Sequence, residues 1–319
     1  MSANGQIQAM TFKGRDMIEL DDYTPEEIQY LLDSAIEIKR KKKNGELYQP
    51  LKGKTIGLIF EKSSTRTRVS FEAGMFQLGG HALFLSKNDI QLGRGEPISD
   101  TAQVMSRYLD GIMIRTFGHD NVINLARYAS IPVINGLSDM AHPCQVLADL
   151  QTVLEHKGKL KGLKMAFIGD GNNMANSLLI GGAKMGMHVA VASPEGYEPD
   201  ERIVQLSREI ARETGAEITV TQDPVEAARD ADVIYTDVWA SMGFEEEQKQ
   251  REQAFADFQV NEELVQAAKK DYLFLHCLPA HRGEEVSEGV IDGANSVIFD
   301  QAENRLHAQN ALMVALMAD

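Results

Sequence analysis

The sequence predicts an α/β protein built from two doubly wound parallel-sheet domains. Three observations carry that reading. Short β-rich runs alternate with longer amphipathic stretches along the chain. The alternation occurs twice, with a second set of strands beginning after residue 160. A length of 319 residues supplies two domains of roughly 150 residues each. Strands bounded by helices imply right-handed crossovers and parallel sheets covered on both faces.

The elements follow in order. An early helix is signalled by Thr24 as N-cap, Pro25 at the first helical position and Glu27 completing a capping box. Strands are expected at 55–60 (TIGLIF), 81–86 (HALFLS), 111–116 (GIMIRT) and 131–136 (IPVING). The second set falls at 164–170 (KMAFIGD), 188–193 (HVAVAS), 217–222 (EITVTQ), 232–237 (DVIYTD) and 272–278 (YLFLHCL). Among the helical stretches, DERIVQLSREIARETG repeats its apolar residues at helical spacing and stops at Gly215. The domains meet in HPCQVLADLQTVLEHKGKLKG. No Gly/Ser or Pro linker marks that boundary, so the repeat of the pattern sets it: 1–150, then 151–302. A final amphipathic stretch, ENRLHAQNALMVALMA, reads as a terminal helix, and its pattern suits packing on either domain.

The formal net charge of -15 argues against general affinity for nucleic acid or anionic membranes. No apolar run approaches the roughly 18 residues of a transmembrane helix. MSANGQIQAM lacks the regions of a signal peptide, and two cysteines, Cys144 and Cys277, make no disulfide framework. A cytoplasmic protein is the expectation.

Against that acidic background, local clusters of cations stand out. SSTRTR lies where a buried strand gives way to a helix, the usual ligand-binding end of an open parallel sheet. Backbone N–H groups, the hydroxyls of Ser64, Thr65 and Thr67, and the Arg66 guanidinium suit a phosphate there. Helix capping explains the hydroxyls equally well. The segment is no Walker A loop, since its glycines and lysine are missing. Arg68 is expected to face elsewhere and support the structure. Arg115 ends another buried strand, where a charge is costly unless paired or used. His142 and Gln145 lie three apart at a helix start. Together they suit a carbonyl oxygen and an amide nitrogen, as in a carbamoyl group, with capping as the alternative.

In FIGDGNNMANSL, a strand, Gly169, Gly171 and a helix invite a dinucleotide-binding reading. Met174 stands at the third fingerprint position, and no acid ends the following strand, which argues against it. Asn172 and Asn173 then cap the helix or hold a small polar ligand. Asp237 ends a strand and suits a substrate ammonium, with Ser241 nearby in DVWASMG; a plain surface loop is the alternative. The charge-rich FEEEQKQREQAF that follows reads as solvated. Cys277 emerges from a buried strand and is by default structural. A zinc site from Cys144, Cys277, His142, His276 and His281 lacks any established ligand spacing.

Taken together, STRTR, QLGRGE, IRT, HPCQ, GDGNN, DVWASMG and HCLPAHRGEE, in that order, resemble the ornithine carbamoyltransferase family over essentially the whole chain. The resemblance implies transfer of the carbamoyl group of carbamoyl phosphate to the side-chain amine of L-ornithine, with no metal or redox cofactor. It assigns phosphate recognition to Ser64, Thr65, Arg66 and Thr67, completed by Arg305. Arg115 and His142 then meet the carbonyl, and Gln145, Cys277 and Leu278 the carbamoyl nitrogen. Gln91 reaches into an adjacent subunit's site, while Asn173, Asp237, Ser241 and Met242 hold the ornithine. It further implies that a last helix, about 303–319, crosses back to the first domain, that the active site lies between the domains, and that the chain forms trimers or multiples of trimers.

Overall fold

The computed structural model describes residues 10, 12–240 and 247–319. They form two compact units, one holding the residues up to Gln151 together with Asn304–Asp319, the other Thr152–Glu303.

The first unit opens with α1 (Pro25–Lys43), whose capping box is complete: Thr24 Oγ1 accepts from the Glu27 N–H, and Glu27 Oε2 accepts from the Thr24 N–H at 2.9 Å. Such a cap contributes about 1 kcal/mol. There follow β1 (Thr55–Phe60), α2 (Thr65–Gln77), β2 (His81–Ser86), α3 (Ile98–Met105), β3 (Gly111–Arg115), α4 (His119–Tyr128), β4 (Val133–Leu137) and α5 (Pro143–Lys157). The strands pair in the order β2-β1-β3-β4, parallel throughout. The inner strands β1 and β3 are apolar runs buried almost end to end, as helices on both faces demand. Ile59, Ile112, Ile114, Leu125 and Val133 form the core beneath them. Gly74 of α2 admits a close helix approach, because a Cβ there would lie 2.1 Å from Asn310 Oδ1. The helix α3 and a 3-10 turn at Gln91–Arg94 had no clear signal in the sequence.

The second unit continues with β5 (Lys164–Ile168), α6 (Asn173–Lys184), β6 (His188–Ala192), α7 (Glu201–Thr214), β7 (Ile218–Thr221), α8 (Pro224–Ala228), β8 (Val233–Thr236), α9 (Gln248–Ala254), β9 (Leu273–His276) and α10 (Glu288–Ile291), while α11 (Ile298–Met317) begins in it and belongs to the first unit from Asn304 onward. Its sheet runs β7-β6-β5-β8-β9, again wholly parallel. Phe255, Phe258, Trp239 and Phe274 anchor its core, with Tyr197 packed edge-on to Phe255. The last helix starts at Ile298, earlier than its polar sequence pattern suggests.

One reading needs correction. The part of FEEEQKQREQAF that forms α9 is not simply solvated, for Arg251 is buried and donates to Asp170 Oδ2 at 2.7 Å and to the Trp239 carbonyl at 2.9 Å. Burial pushes the Asp170 carboxyl up to about 6, against the pull of Arg251. The glycine turn itself has an internal purpose. The Gly171 N–H donates to the Tyr197 carbonyl, and a Cβ at Gly171 would lie 2.2 Å from backbone atoms of Glu198 and Pro199. The close approach of the chain's own backbone thus accounts for this glycine without a dinucleotide. Gly171→Ala is expected to destabilise the protein by about 1–3 kcal/mol through overpacking against backbone. A urea-unfolding midpoint equal to that of the wild type would count against this close fit.

Candidate active site

Each unit gathers polar groups where its strands end and its helices begin. In the first, β1 gives way to Ser64, whose extended backbone (φ -162°) lets its Oγ accept from the Thr67 N–H at 3.1 Å. The first turn of α2 contains no acid, so nothing on the helix offsets its positive end. Thr65 is exposed, Arg66 half-buried and Thr67 buried. Among the described residues Arg66 forms no ion pair, leaving its guanidinium available to an anion. Arg68 does face elsewhere: it pairs with Glu72 at 3.1 Å and stacks 3.6 Å over the Phe84 ring.

Arg305, 3% exposed on α11, joins two of the predicted residues, Gln145 and Thr67, and Gln309 beside them. One Nη donates to Gln145 Oε1 at 2.6 Å, the other to Thr67 Oγ1 at 3.2 Å, and Nε to Gln309 Oε1 at 3.1 Å. Gln309 in turn donates to Ser70 Oγ at 2.7 Å, and that hydroxyl donates to the Arg66 carbonyl at 2.6 Å. The starts of α2 and α5 are thereby tied to one buried cation. His142, just before α5, is buried, and its pKa is held well below 6.5 by that burial and then by Arg305 and Arg115. It therefore stays an uncharged imidazole at neutral pH, with one ring N–H to donate. Arg115 is buried at the end of β3, where the pairing with β4 shifts register.

Sequence reasoning missed Glu61, whose side chain is 6% exposed. Burial pushes its carboxyl up, but hydrogen bonds from Thr116, Lys87 and Asn121 outweigh this and hold it below the usual range. It braces the ends of β1, β2 and β3 immediately before the Ser64 turn. A lone acid following an apolar run was the only signal available.

In the second unit, Asn172 caps α6 by accepting from the Met174 N–H at 2.9 Å, and its amide donates to Asp237 Oδ2 at 3.3 Å. Asp237 is buried and also accepts from the Cys277 thiol at 3.0 Å. Asn173 begins the same helix. Asp237, His276 and Cys277 place one ligand-type atom each within 4.8 Å of one another, yet both nitrogens of His276 are already hydrogen-bonded, to Leu278 and Glu285. Cys144, by contrast, is fully buried, donates to the Asn135 carbonyl and has its thiol pushed up to about 12 by burial, the marks of a packing residue. Gln91 sits exposed on its 3-10 turn and, among the described residues, hydrogen-bonds none of the other candidates. Ser241 and Met242 lie outside the described residues.

Two parallel-sheet units, each gathering polar groups at its strand ends, make up a chain that belongs to the aspartate/ornithine carbamoyltransferase family. The family model for the carbamoyl-P binding domain matches residues 15–155, and that for the Asp/Orn binding domain matches residues 161–316. Its similar relatives are ornithine carbamoyltransferases. That of Anoxybacillus flavithermus is 66% identical over 305 residues, covering 96% of this chain and 97% of the relative. That of Oceanobacillus iheyensis is 61% identical over 322 residues and covers both chains completely. The solved ornithine carbamoyltransferase of Pyrococcus furiosus superposes with a TM-score of 0.94 at 56% identity, over 97% of this chain and 99% of that one.

The depressed His142 pKa has a thermodynamic sign. In the unfolded chain the imidazole takes up its proton near 6.5, whereas the folded state resists it, so the stability it contributes is present above 6.5 and lost as pH falls below that value. Unfolding free energy is expected to drop between pH 7.5 and pH 5.5, with a shallower drop in His142→Gln. Equal slopes for the two proteins would place the acid sensitivity elsewhere.

Proposed function

We propose that the chain transfers the carbamoyl group of carbamoyl phosphate to the side-chain amine of L-ornithine, giving L-citrulline and phosphate. The observation that carries this is the Arg305 centre. It joins Thr67, at the start of an uncompensated helix, to Gln145, one turn from an uncharged buried His142. Phosphate and carbamoyl recognition are thereby held by one cation.

In this reading the first unit binds carbamoyl phosphate. Ser64, Thr65, Arg66 and Thr67 meet the phosphate with helix N–H groups and hydroxyls, and Arg305 completes the set. His142 and Arg115 donate to the carbonyl oxygen, while Gln145 meets the carbamoyl nitrogen together with the backbone at Cys277 and Leu278. The amine attacks the carbonyl carbon, the N–C bond forms, the C–O bond to phosphate breaks, and the amine's proton passes to the departing phosphate. Charge grows on the carbonyl and leaving oxygens, where fixed arginines and N–H donors oppose it. Arginine suits this through permanent charge and bidentate geometry.

Ornithine is held by the second unit through Asn173, Asp237, Ser241 and Met242. A buried carboxylate at Asp237 favours an acceptor with a free α-ammonium over aspartate, whose additional carboxylate calls for cations. Cys277 donates to that same carboxylate, so its thiol orients the acid that orients the substrate. The exposed position of Gln91 favours a trimer in which it serves a neighbouring subunit's site. Among the described residues no helix is long and apolar enough to cross a membrane; we place the enzyme in the cytoplasm.

Pure protein mixed with carbamoyl phosphate and a panel of amines is expected to yield citrulline from ornithine, and no citrulline would sink the assignment. Arg66→Ala is expected to lower kcat/KM by roughly a hundredfold, the usual cost of a lost charge clamp; near-normal turnover would return Arg66 to the surface. Because the amine's ordinary pKa is about 10, the rate at limiting ornithine should climb from neutral to alkaline pH. A flat profile would contradict attack by the neutral amine.

A further inference from the structure

One buried carboxylate of the second unit has no part in the chemistry just described. Glu285 is fully buried, and its Oε1 accepts from the His281 N–H at 2.7 Å and lies 3.0 Å from His276 Nε2. A buried carboxylate is costly unless its hydrogen bonds hold something in place. The other face of the same imidazole shows what is held. The Leu278 N–H donates to His276 Nδ1 at 2.9 Å. That nitrogen therefore carries no hydrogen, and the ring's hydrogen sits on Nε2, directed at Glu285.

Leu278 has a φ of +58°, in the left-handed region, which is unfavourable for a residue with a side chain. Nothing in the local sequence HCLPA favours that conformation, so the surroundings must impose it. They do so from two sides. The His276 ring fixes the Leu278 N–H, and the His276 N–H itself donates to Gln301 Oε1 at 2.9 Å, whose amide donates to the Tyr235 hydroxyl at 3.0 Å.

We propose that His276 and Glu285 are positioning residues for carbamoyl transfer. Glu285 fixes the imidazole, the imidazole fixes the Leu278 N–H, and the Cys277–Leu278 backbone is thereby held in the strained conformation that presents it to the carbamoyl nitrogen. The proposal rests on the reading of the reaction given above. Neither side chain touches substrate; both act through the backbone of their neighbours.

Two substitutions at His276 separate this role from simple packing. His276→Asn keeps an oxygen near the place of Nδ1, able to accept from the Leu278 N–H. His276→Gln puts its polar end near the place of Nε2, toward Glu285, and leaves that N–H without its acceptor. Steady-state citrulline formation and hydrogen exchange at the Leu278 amide are measured on the intact protein. The Gln variant is expected to lose roughly ten- to a hundredfold in kcat, with KM for carbamoyl phosphate within about twofold, and to exchange the Leu278 amide faster. The Asn variant should recover most of both. Glu285→Gln, which keeps an acceptor but not its charge, should show a smaller loss of kcat with faster Leu278 exchange, and it carries the test should the His276→Gln protein fail to fold. Equal losses in the Gln and Asn variants, or unchanged Leu278 exchange in the Gln variant, would overturn the positioning role. A wild-type protein that forms no citrulline would instead overturn the reaction assignment and with it the catalytic half of this proposal. The exchange data would then decide the His276–Leu278 brace by itself.

Discussion

A guanidinium that is 3% exposed has to find acceptors inside the protein, and in the first unit this requirement organises everything around Arg305. Its donors diverge to three side chains on three helices: Thr67 on α2, Gln145 on α5 and Gln309 on α11. The planar fork fixes their directions as well as their distances. Burial, and after it this cation and Arg115, hold the His142 pKa well below 6.5. One side chain thus ties the starts of α2 and α5 together and adds to what keeps His142 uncharged.

The two units place their chemistry by the same rule and give it opposite sign. Both use the carboxyl ends of parallel strands, where helix starts leave backbone N–H groups unpaired. In the first unit that position carries arginines and hydroxyls, suited to an anion. In the second it carries Asp237, with Asn172 and Cys277 donating to it, suited to a cationic amino group. Buried charges are tolerable in each because hydrogen bonds were arranged before any substrate arrives, the condition for electrostatic stabilisation at little reorganisation cost. Glu61 and Glu285 perform the supporting work. Each is a buried acid that aims other groups: one braces strand ends, the other an imidazole.

Much of this was legible in the sequence, for local reasons. Apolar runs and amphipathic spacing revealed the strand–helix alternation, and Thr24 and Ser64 announced their helices through capping chemistry that acts over three residues. Gly171 was visible as special, though its purpose was not. Only the fold shows that the backbone at Glu198–Pro199 lies against it. The charged run after Asp237 misled for the same reason, since Arg251 meets Asp170 across 81 residues of sequence. That Arg68 faces elsewhere was legible, but its partner was not, because Phe84 lies on β2 in a separate element. Leu278 gave no sign of a left-handed backbone, which glycine or asparagine would have advertised. Interactions that close within one turn can be read from spacing; those that close across the sheet cannot.

The return of α11 to the first unit bears on how the protein is made. The hydrogen bond from Arg305 to Thr67 spans 238 residues, and the whole second unit is synthesised between its two ends. Domains generally fold as units in the order of their synthesis, and contacts of such separation form late because a long loop must close first. Here the earlier unit is the one left waiting. Its sheet and helices can assemble early, but the turn at Ser64–Thr67 gains its buried cation only after the second unit has been translated. During that interval the nascent chain presents Thr67 and Gln145 without the partner that later joins them.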